Sequence, residues 1–415
     1  MKILVISDIH AFSKARDDGS IPSYVKAGDS AFDSPTVTFE QILKSGGLPK
    51  PDLIVCPGDL CDCADSSGLS YAWEFLKRVA KFSETNTLIS TVGNHDLDSR
   101  LIDAEYDAKG RLLDLTPSFP VVTNFEKASA RDETFQLQYW ARNFCLVRVG
   151  DCRFVVLNTC AFHGFSKPTE TPELEHGRIS DKTLHQIKLA LEAEEKECEK
   201  KNRPKSKINI LVCHHHLTKD GSIKDADQSV VTGAHALIEF LSLSEHGRWL
   251  VIHGHRHRAR LYQTGGSTGP WVLSAASFGA TRDRDYENRS PNQVHLIELN
   301  FEGMAALHTS PAGSIRTWTW TVGIGWVSTE FGPGGLPSLS GFGFRGSIDD
   351  IAAQIAGVVD ALPKRRWSAR RSRNQAVSRK ARAQSATCGG QHDVIVKYRA
   401  RTAAAEEGAS LRSTS

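Results

Sequence analysis

Five apolar runs in this chain end in side chains of the kind that hold cations or move protons, and that recurrence constrains the fold more than any single motif. The run Ile3 to Ile6 leads to Asp8-Ile9-His10, and Leu53 to Cys56 leads to Gly58-Asp59. Leu88 to Val92 precedes Gly93-Asn94-His95-Asp96, Ile208 to Cys213 precedes His214-His215-His216, and Trp249 to Ile252 precedes Gly254-His255-Arg256-His257. Short runs of Val, Ile and Leu bounded by turn residues read as buried strands. Taken alone, Asp-x-His or Gly-Asp is an ordinary turn. Repeated at five strand ends, the clusters imply convergence on one edge of a sheet.

Strand-like segments recur at about 2–7, 53–57, 88–92, 144–149, 153–158, 208–213, 249–253, 271–275 and 293–299. Helical spacing marks 36–45, 70–82, 180–200 and 231–244, with a short helix at 348–361. In 180–200, Leu184, Ile187 and Leu191 form one apolar stripe against a charged face. Alternating strands and helices predict a layered α/β domain. The pair 144–149 and 153–158, joined by Gly150-Asp151, reads as a hairpin, so a mixed sheet or two packed sheets is expected. Polar stretches 11–34 and 97–140 both follow clusters and read as long loops at the mouth of a site.

The near-neutral net charge of +3 averages two unlike parts. Residues 363–415 carry thirteen Lys or Arg against three acids, leaving 38 basic and 45 acidic groups in the rest. A segment so poor in apolar residues cannot offset its ordering entropy, and 363–415 reads as a disordered basic tail. The remaining chain divides into a domain at 1–310 and a Trp- and Gly-rich extension at 311–362. The apolar run at Ile3–Ile6 is too short for a secretory leader, and no stretch approaches the roughly 18 residues of a membrane span. Nine scattered cysteines, mostly inside strand-like runs, fit reduced thiols in the cytosol rather than a disulfide framework. Cys61-x-Cys63 has no second pair at zinc spacing and reads as packing.

The five clusters, in this order, resemble the signature of calcineurin-like metallophosphoesterases: D-x-H, G-D, G-N-H-[DE], a strand-end His and G-H-x-H. The likeness spans about residues 1–300 and is closest to the branch holding bacterial cyclic-nucleotide phosphodiesterases. It implies an α/β/β/α sandwich of two mixed sheets around a binuclear metal centre of Mn, Fe or Zn ions. Two cations roughly 3.5–4 Å apart neutralise phosphoryl oxygens and generate a nucleophile from water at neutral pH. By resemblance, Asp8 and His10 bind the first metal with His257, and Asp59 bridges both. Asn94 and His255 bind the second together with a strand-end His, taken as His214, the first residue past the apolar run, with its neighbour His215 as the competitor. His95 is the general acid toward the leaving alkoxide, and Asp96 orients it or holds the loop. Leu217 stands where that branch usually has Pro.

The resemblance implies a phosphodiester or phosphomonoester substrate, with a nucleotide-like one preferred. Two other readings compete with it. Lys364 to Arg382, nine basic residues without an acid, suit a nuclease acting on DNA or RNA. Trp318, Trp320 and Trp326 read as core or strand-face residues, and only the alternative of an exposed aromatic face would suit a catalytically weak, metal-stabilised interaction module.

Overall fold

The structure, a computed structural model, describes residues 1–99, 107–126, 129–163, 176–219, 229–281, 291–301, 311–328, 334–343 and 356. The short helix expected at 348–361, that one residue apart, and the whole basic tail lie outside these residues.

In chain order the first half contains β1 (Lys2–Val5), α1 (Pro35–Lys44), β2 (Leu53–Cys56), α2 (Ser66–Phe82), β3 (Leu88–Ser90), α3 (Gly110–Leu113), β4 (Val121–Val122), α4 (Ala130–Arg142), β5 (Phe144–Val149) and β6 (Cys152–Leu157). The second half contains α5 (Asp181–Lys200), β7 (Ile208–Val212), α6 (Ala234–Ser242), β8 (Trp249–His253), β9 (Arg260–Gln263), β10 (Trp271–Ser274), β11 (Gln293–Leu299), β12 (Gly313–Thr321), β13 (Gly325–Val327) and β14 (Leu339–Phe342). Strands β1, β2 and β3 run parallel, with Ile3 beside Leu53 and Ile54 beside Leu88. Around them β4 and β11 to β14 complete an eight-stranded mixed sheet. The second sheet has the order β5-β6-β7-β8-β10-β9, parallel from β6 to β10 with antiparallel edges.

The apolar runs are continuous because their strands are buried on both faces. Along β7, Ile208, Ile210 and Val212 enter the core between the sheets, while Leu211 faces the core beneath α5 and α6. Strand β8 repeats this, with Leu250 and Ile252 inward and Trp249 and Val251 toward the helices. Helices α1 and α2 pack against the larger core through Phe39, Phe75 and Leu76. The result is the α/β/β/α sandwich, and the C-terminal ends of β1, β2, β3, β7 and β8 carry the five clusters.

Helix starts are tied to the loop that follows Asp8-x-His10. Ser34 closes that loop and caps α1, accepting from the Val37 N–H at 3.3 Å, with Pro35 at the first helical position. Asp65 caps α2 through the Gly68 N–H at 2.8 Å and also accepts the Ser13 N–H at 2.8 Å.

One expectation is corrected. The stretch 97–140 is not one loop, because it contains α3, β4 and most of α4. Helix α4 buries Asp132, Phe135 and Tyr139 on one face, and Ser129 caps it. Trp318, Trp320 and Trp326 are all buried, as core or strand-face residues would be, and do not form the exposed face that the interaction-module reading needs. Strand β12 pairs with β11 from Gly313 to Thr319, and β13 and β14 pair with β12, so these three strands continue the first sheet. No helix among the described residues is long and apolar enough to cross a membrane.

Trp326 binds this C-terminal segment to the rest. Its ring stacks on Phe278 at 4.9 Å between centroids, meets Phe39 at 5.3 Å, and its N–H donates to the Pro35 carbonyl at 2.8 Å. Trp326→Ala should cost about 3–5 kcal/mol of unfolding free energy, read as a lower urea midpoint; an unchanged midpoint would refute the anchoring role.

Candidate metal centre

The strand ends turn sharply. Among the described residues, ten non-glycine residues have positive φ, and Asp8 (52°), His10 (50°), Asp59 (54°), His255 (74°) and His257 (51°) are five of them. This conformation is costly for residues with a Cβ and gathers where surrounding structure holds side chains at a functional site. Close backbone approach makes room for it. At Gly58, with φ of 101°, a Cβ would lie 2.7 Å from the Gly93 nitrogen and 2.8 Å from His214 Nδ1. At Gly254 a Cβ would strike the Asp8 carboxylate.

Seven side chains named from the sequence meet here. His10 Nε2 lies 2.9 Å from His257 Nε2 and 3.4 Å from Asp59 Oδ2. His257 Nε2 is 3.5 Å from Asp8 Oδ1, which also accepts the His255 N–H at 2.8 Å. On the other side of Asp59, His214 Nε2 stands 3.3 Å from Oδ2. Asn94 Oδ1 is 3.0 Å from both His214 Nε2 and His255 Nδ1. Of the three consecutive histidines, His214 is the one facing Asp59. A carbonyl only accepts, so His214 Nδ1–H donates to Pro57 O at 2.8 Å and Nε2 is the nitrogen turned toward the site. His215 turns instead to Thr159 Oγ1 at 2.8 Å. His253 is buried outside the cluster, its Nδ1 donating to the Gly254 carbonyl at 3.0 Å.

Electrostatics sort these groups. Burial opposes ionisation of Asp59, but the imidazoles of His214, His95 and His10 outweigh it and hold the carboxyl well below its usual range. Burial likewise opposes a charge on His214, yet Asp59 and Asp8 push it up to about 9. Burial and the rings of His215 and His214 keep His255 well below its ordinary value, so it is neutral at pH 7. These donors fit a pair of cations. Carboxylate, amide and neutral imidazole are ligands for first-row divalent metals, and the ligand atoms of Asp8, His10, Asp59 and His257 lie within 4.8 Å of one another.

Asp62 was not foreseen. Its Oδ1 lies 2.9 Å from His95 Nδ1, and Arg16 grips both its oxygens, at 2.9 and 2.7 Å. A carboxylate accepts only, so this contact places the proton on Nδ1 and leaves His95 Nε2 at the partly exposed mouth. Burial lowers the His95 pKa, but Asp59 and Asp62 together raise it well above the ordinary value. The signal in the sequence was slight: one Asp three residues past Asp59.

Asp96 is occupied elsewhere. Its carboxylate accepts N–H groups from Asp59 (3.0 Å), Leu60 (2.7 Å), Cys61 (3.0 Å) and Gly93 (2.8 Å). Of the two tasks left open for it, this geometry matches holding the loop. Cys61 packs beneath the same carboxylate, 3.7 Å from Oδ1, rather than joining a thiol site.

A family model described as calcineurin-like phosphoesterase matches residues 1–259. The chain belongs to that family. It is therefore a metal-binding hydrolase of phosphoric esters. Among solved structures, a dimetal phosphatase from Danio rerio matches at 12% identity and a TM-score of 0.46, over 77% of this chain and 99% of its own. A purple acid phosphatase from yellow lupin (Lupinus luteus) seeds matches at 14% and 0.42, over 78% and 52%. A 5'-nucleotidase precursor from Thermus thermophilus matches at 11% and 0.36, over 74% and 52%. At such scores these likenesses add nothing to the family assignment. No curated protein matches the chain.

Removing the Asp96 carboxylate from this metallophosphoesterase leaves four buried N–H groups unpaired, each costing about 1–3 kcal/mol. Asp96→Ala should therefore lose at least about 3 kcal/mol of stability, measured by chemical denaturation. A loss below 1 kcal/mol would show that the loop stands without it.

Proposed function

We propose that Asp8, His10, Asp59 and His257 hold one cation and Asp59, Asn94, His214 and His255 a second, in an enzyme hydrolysing phosphodiesters or phosphomonoesters. One observation carries this reading: Asp59 Oδ2 lies 3.4 Å from His10 Nε2 and 3.3 Å from His214 Nε2, so one carboxylate serves both halves of the ligand set. Bound there, two cations would supply Lewis-acid neutralisation of the phosphoryl oxygens and a nucleophile at neutral pH. Mn, Fe and Zn suit the mixed carboxylate and imidazole donors.

The protein's own groups handle the proton. His95, at the mouth, is kept protonated by Asp62 and Asp59 and gives its Nε2 proton to the departing alkoxide. Asp62, fixed by Arg16, sets the orientation of that ring. Nucleotide-sized phosphodiesters are the preferred substrates in this proposal, on the likeness of the five motifs alone. The eight described cysteines are all free, which fits a reducing compartment, and the cytosol is our assignment.

Hydrolysis of bis(p-nitrophenyl) phosphate with Mn²⁺, against a chelator control, tests the reading. His95→Ala should lower kcat about 10²- to 10⁴-fold; full activity in that variant would refute the general-acid role. Asp62→Asn tests the proton's control. A general acid works below its pKa, and Asp62 raises that of His95. The variant's alkaline limb should therefore move to lower pH. An unmoved limb with normal kcat would sink the pairing. A panel of cyclic nucleotides, nucleotides, single-stranded DNA and monoesters would then rank the substrates.

A further inference from the structure

Cys160, His163 and His215 form a further cluster of cation-binding side chains, and none of them belongs to the two ligand sets proposed above. All three are buried, and Cys160 Sγ and one nitrogen from each ring lie within 4.8 Å of one another. Cys160 and His163 follow β6 and His215 follows β7, so two neighbouring parallel strands deliver them to one place. Burial pushes the His163 pKa down to about 4, so its ring is neutral at pH 7 and carries one proton. A carbonyl only accepts, so that proton is on Nε2, which donates to the His176 carbonyl at 3.0 Å. The lone pair is then on Nδ1, 3.4 Å from the Ser99 hydroxyl. A ring N–H given to a backbone carbonyl is the usual support of a metal-bound imidazole. His215 Nδ1 meets Thr159 Oγ1 at 2.8 Å and Cys160 Sγ at 3.9 Å, and its buried Nε2 has no hydrogen-bond partner. Cys160 Sγ also lies 3.4 Å from the Val92 carbonyl, a weak bond for a thiol.

We propose that Cys160, His163 and His215 bind a further cation, Zn²⁺, at a site separate from the phosphoesterase centre. One thiolate and two imidazoles are the donor types that zinc takes, and the fourth tetrahedral position falls to a water or to the Ser99 hydroxyl. Burial, with Asp59 and Asp96, keeps the Cys160 thiol protonated until a cation arrives. On binding, the S–H bond breaks heterolytically, its proton passes to solvent, and the sulfur lone pair forms the Zn–S bond. The thiolate offsets one positive charge of an ion placed near other cations. An unpaired buried nitrogen such as His215 Nε2 calls for an explanation of this kind. The site fastens the segment after β6 to the end of β7, where the His215 ring lies 4.9 Å from that of His214. Zinc here therefore braces a wall of the catalytic centre without touching the ester.

Co²⁺ added to the full metal-free chain is the probe. The ligands proposed for the phosphoesterase centre are oxygens and nitrogens, so a thiolate-to-cobalt charge-transfer band in the near ultraviolet reports the cysteine site. Wild type should show that band, and Cys160→Ser should lose it. His163→Asn should weaken the binding that produces the band at least about tenfold. Zinc content after dialysis should fall by one ion per chain in Cys160→Ser. No band in wild type, a band that survives in Cys160→Ser, or zinc content unchanged in that variant would overturn the proposal. Should Cys160→Ser fail to fold, His163→Asn decides by the same titration, and unweakened binding counts against the site. The band is read without any ester present, so it stands or falls apart from the phosphoesterase reading.

Discussion

One carboxylate holds the site's framework together. Asp96 accepts N–H groups from Asp59, Leu60 and Cys61 after β2 and from Gly93 after β3, binding two strand ends into one unit. Without that clamp the Asp59 backbone, at a φ of 54°, would relax toward an ordinary turn. The neighbouring end is secured in the same manner, by Ser277 Oγ donating to the Asp8 carbonyl at 2.6 Å. Buried carboxylate and hydroxyl groups thus sustain left-handed backbone at the positions that aim side chains inward. The cost of that backbone is met by hydrogen bonds whose donors and acceptors are shielded from water.

The centre is also a product of packing. The eight-stranded sheet brings Asp8, His10, Asp59 and Asn94, and the six-stranded sheet brings His214, His255 and His257. Neither sheet alone supplies either proposed ligand set. Their separation is fixed by interdigitated side chains such as Ile3 and Val5 on one side and Ile210 and Ile252 on the other. Interiors packed at crystal density transmit small shifts rather than absorbing them. Core changes far from the metal ligands should therefore move Asp59 relative to His214 before they unfold the chain.

Much of this was legible in the sequence because burial on both faces leaves an unbroken apolar run, and every strand expected on that ground is present. What escaped notice lacked that mark. Strand β12 alternates Arg316, Thr317 and Thr319 with tryptophans, so its period was hidden by polar residues that pair with β11. Helix α4 reads as polar because only Asp132, Phe135 and Tyr139 of its thirteen residues are buried. Position favours His214 over His215 as the first residue past the apolar run, and Pro57, whose carbonyl accepts a hydrogen bond from His214 Nδ1, accompanies the turn of that ring toward Asp59. Asp62 carried no motif of its own and became visible only when the turn after Asp59 brought it against His95.

Neighbouring imidazoles in this centre are driven in opposite directions, and the sorting follows distance from carboxylate. His214 and His95 stand beside Asp59 and are raised despite burial, while His255, buried among other rings, is lowered well below its usual value. His253, buried and next to His216, falls to about 3. Imidazoles of one residue type are thereby held in different charge states within a few ångströms.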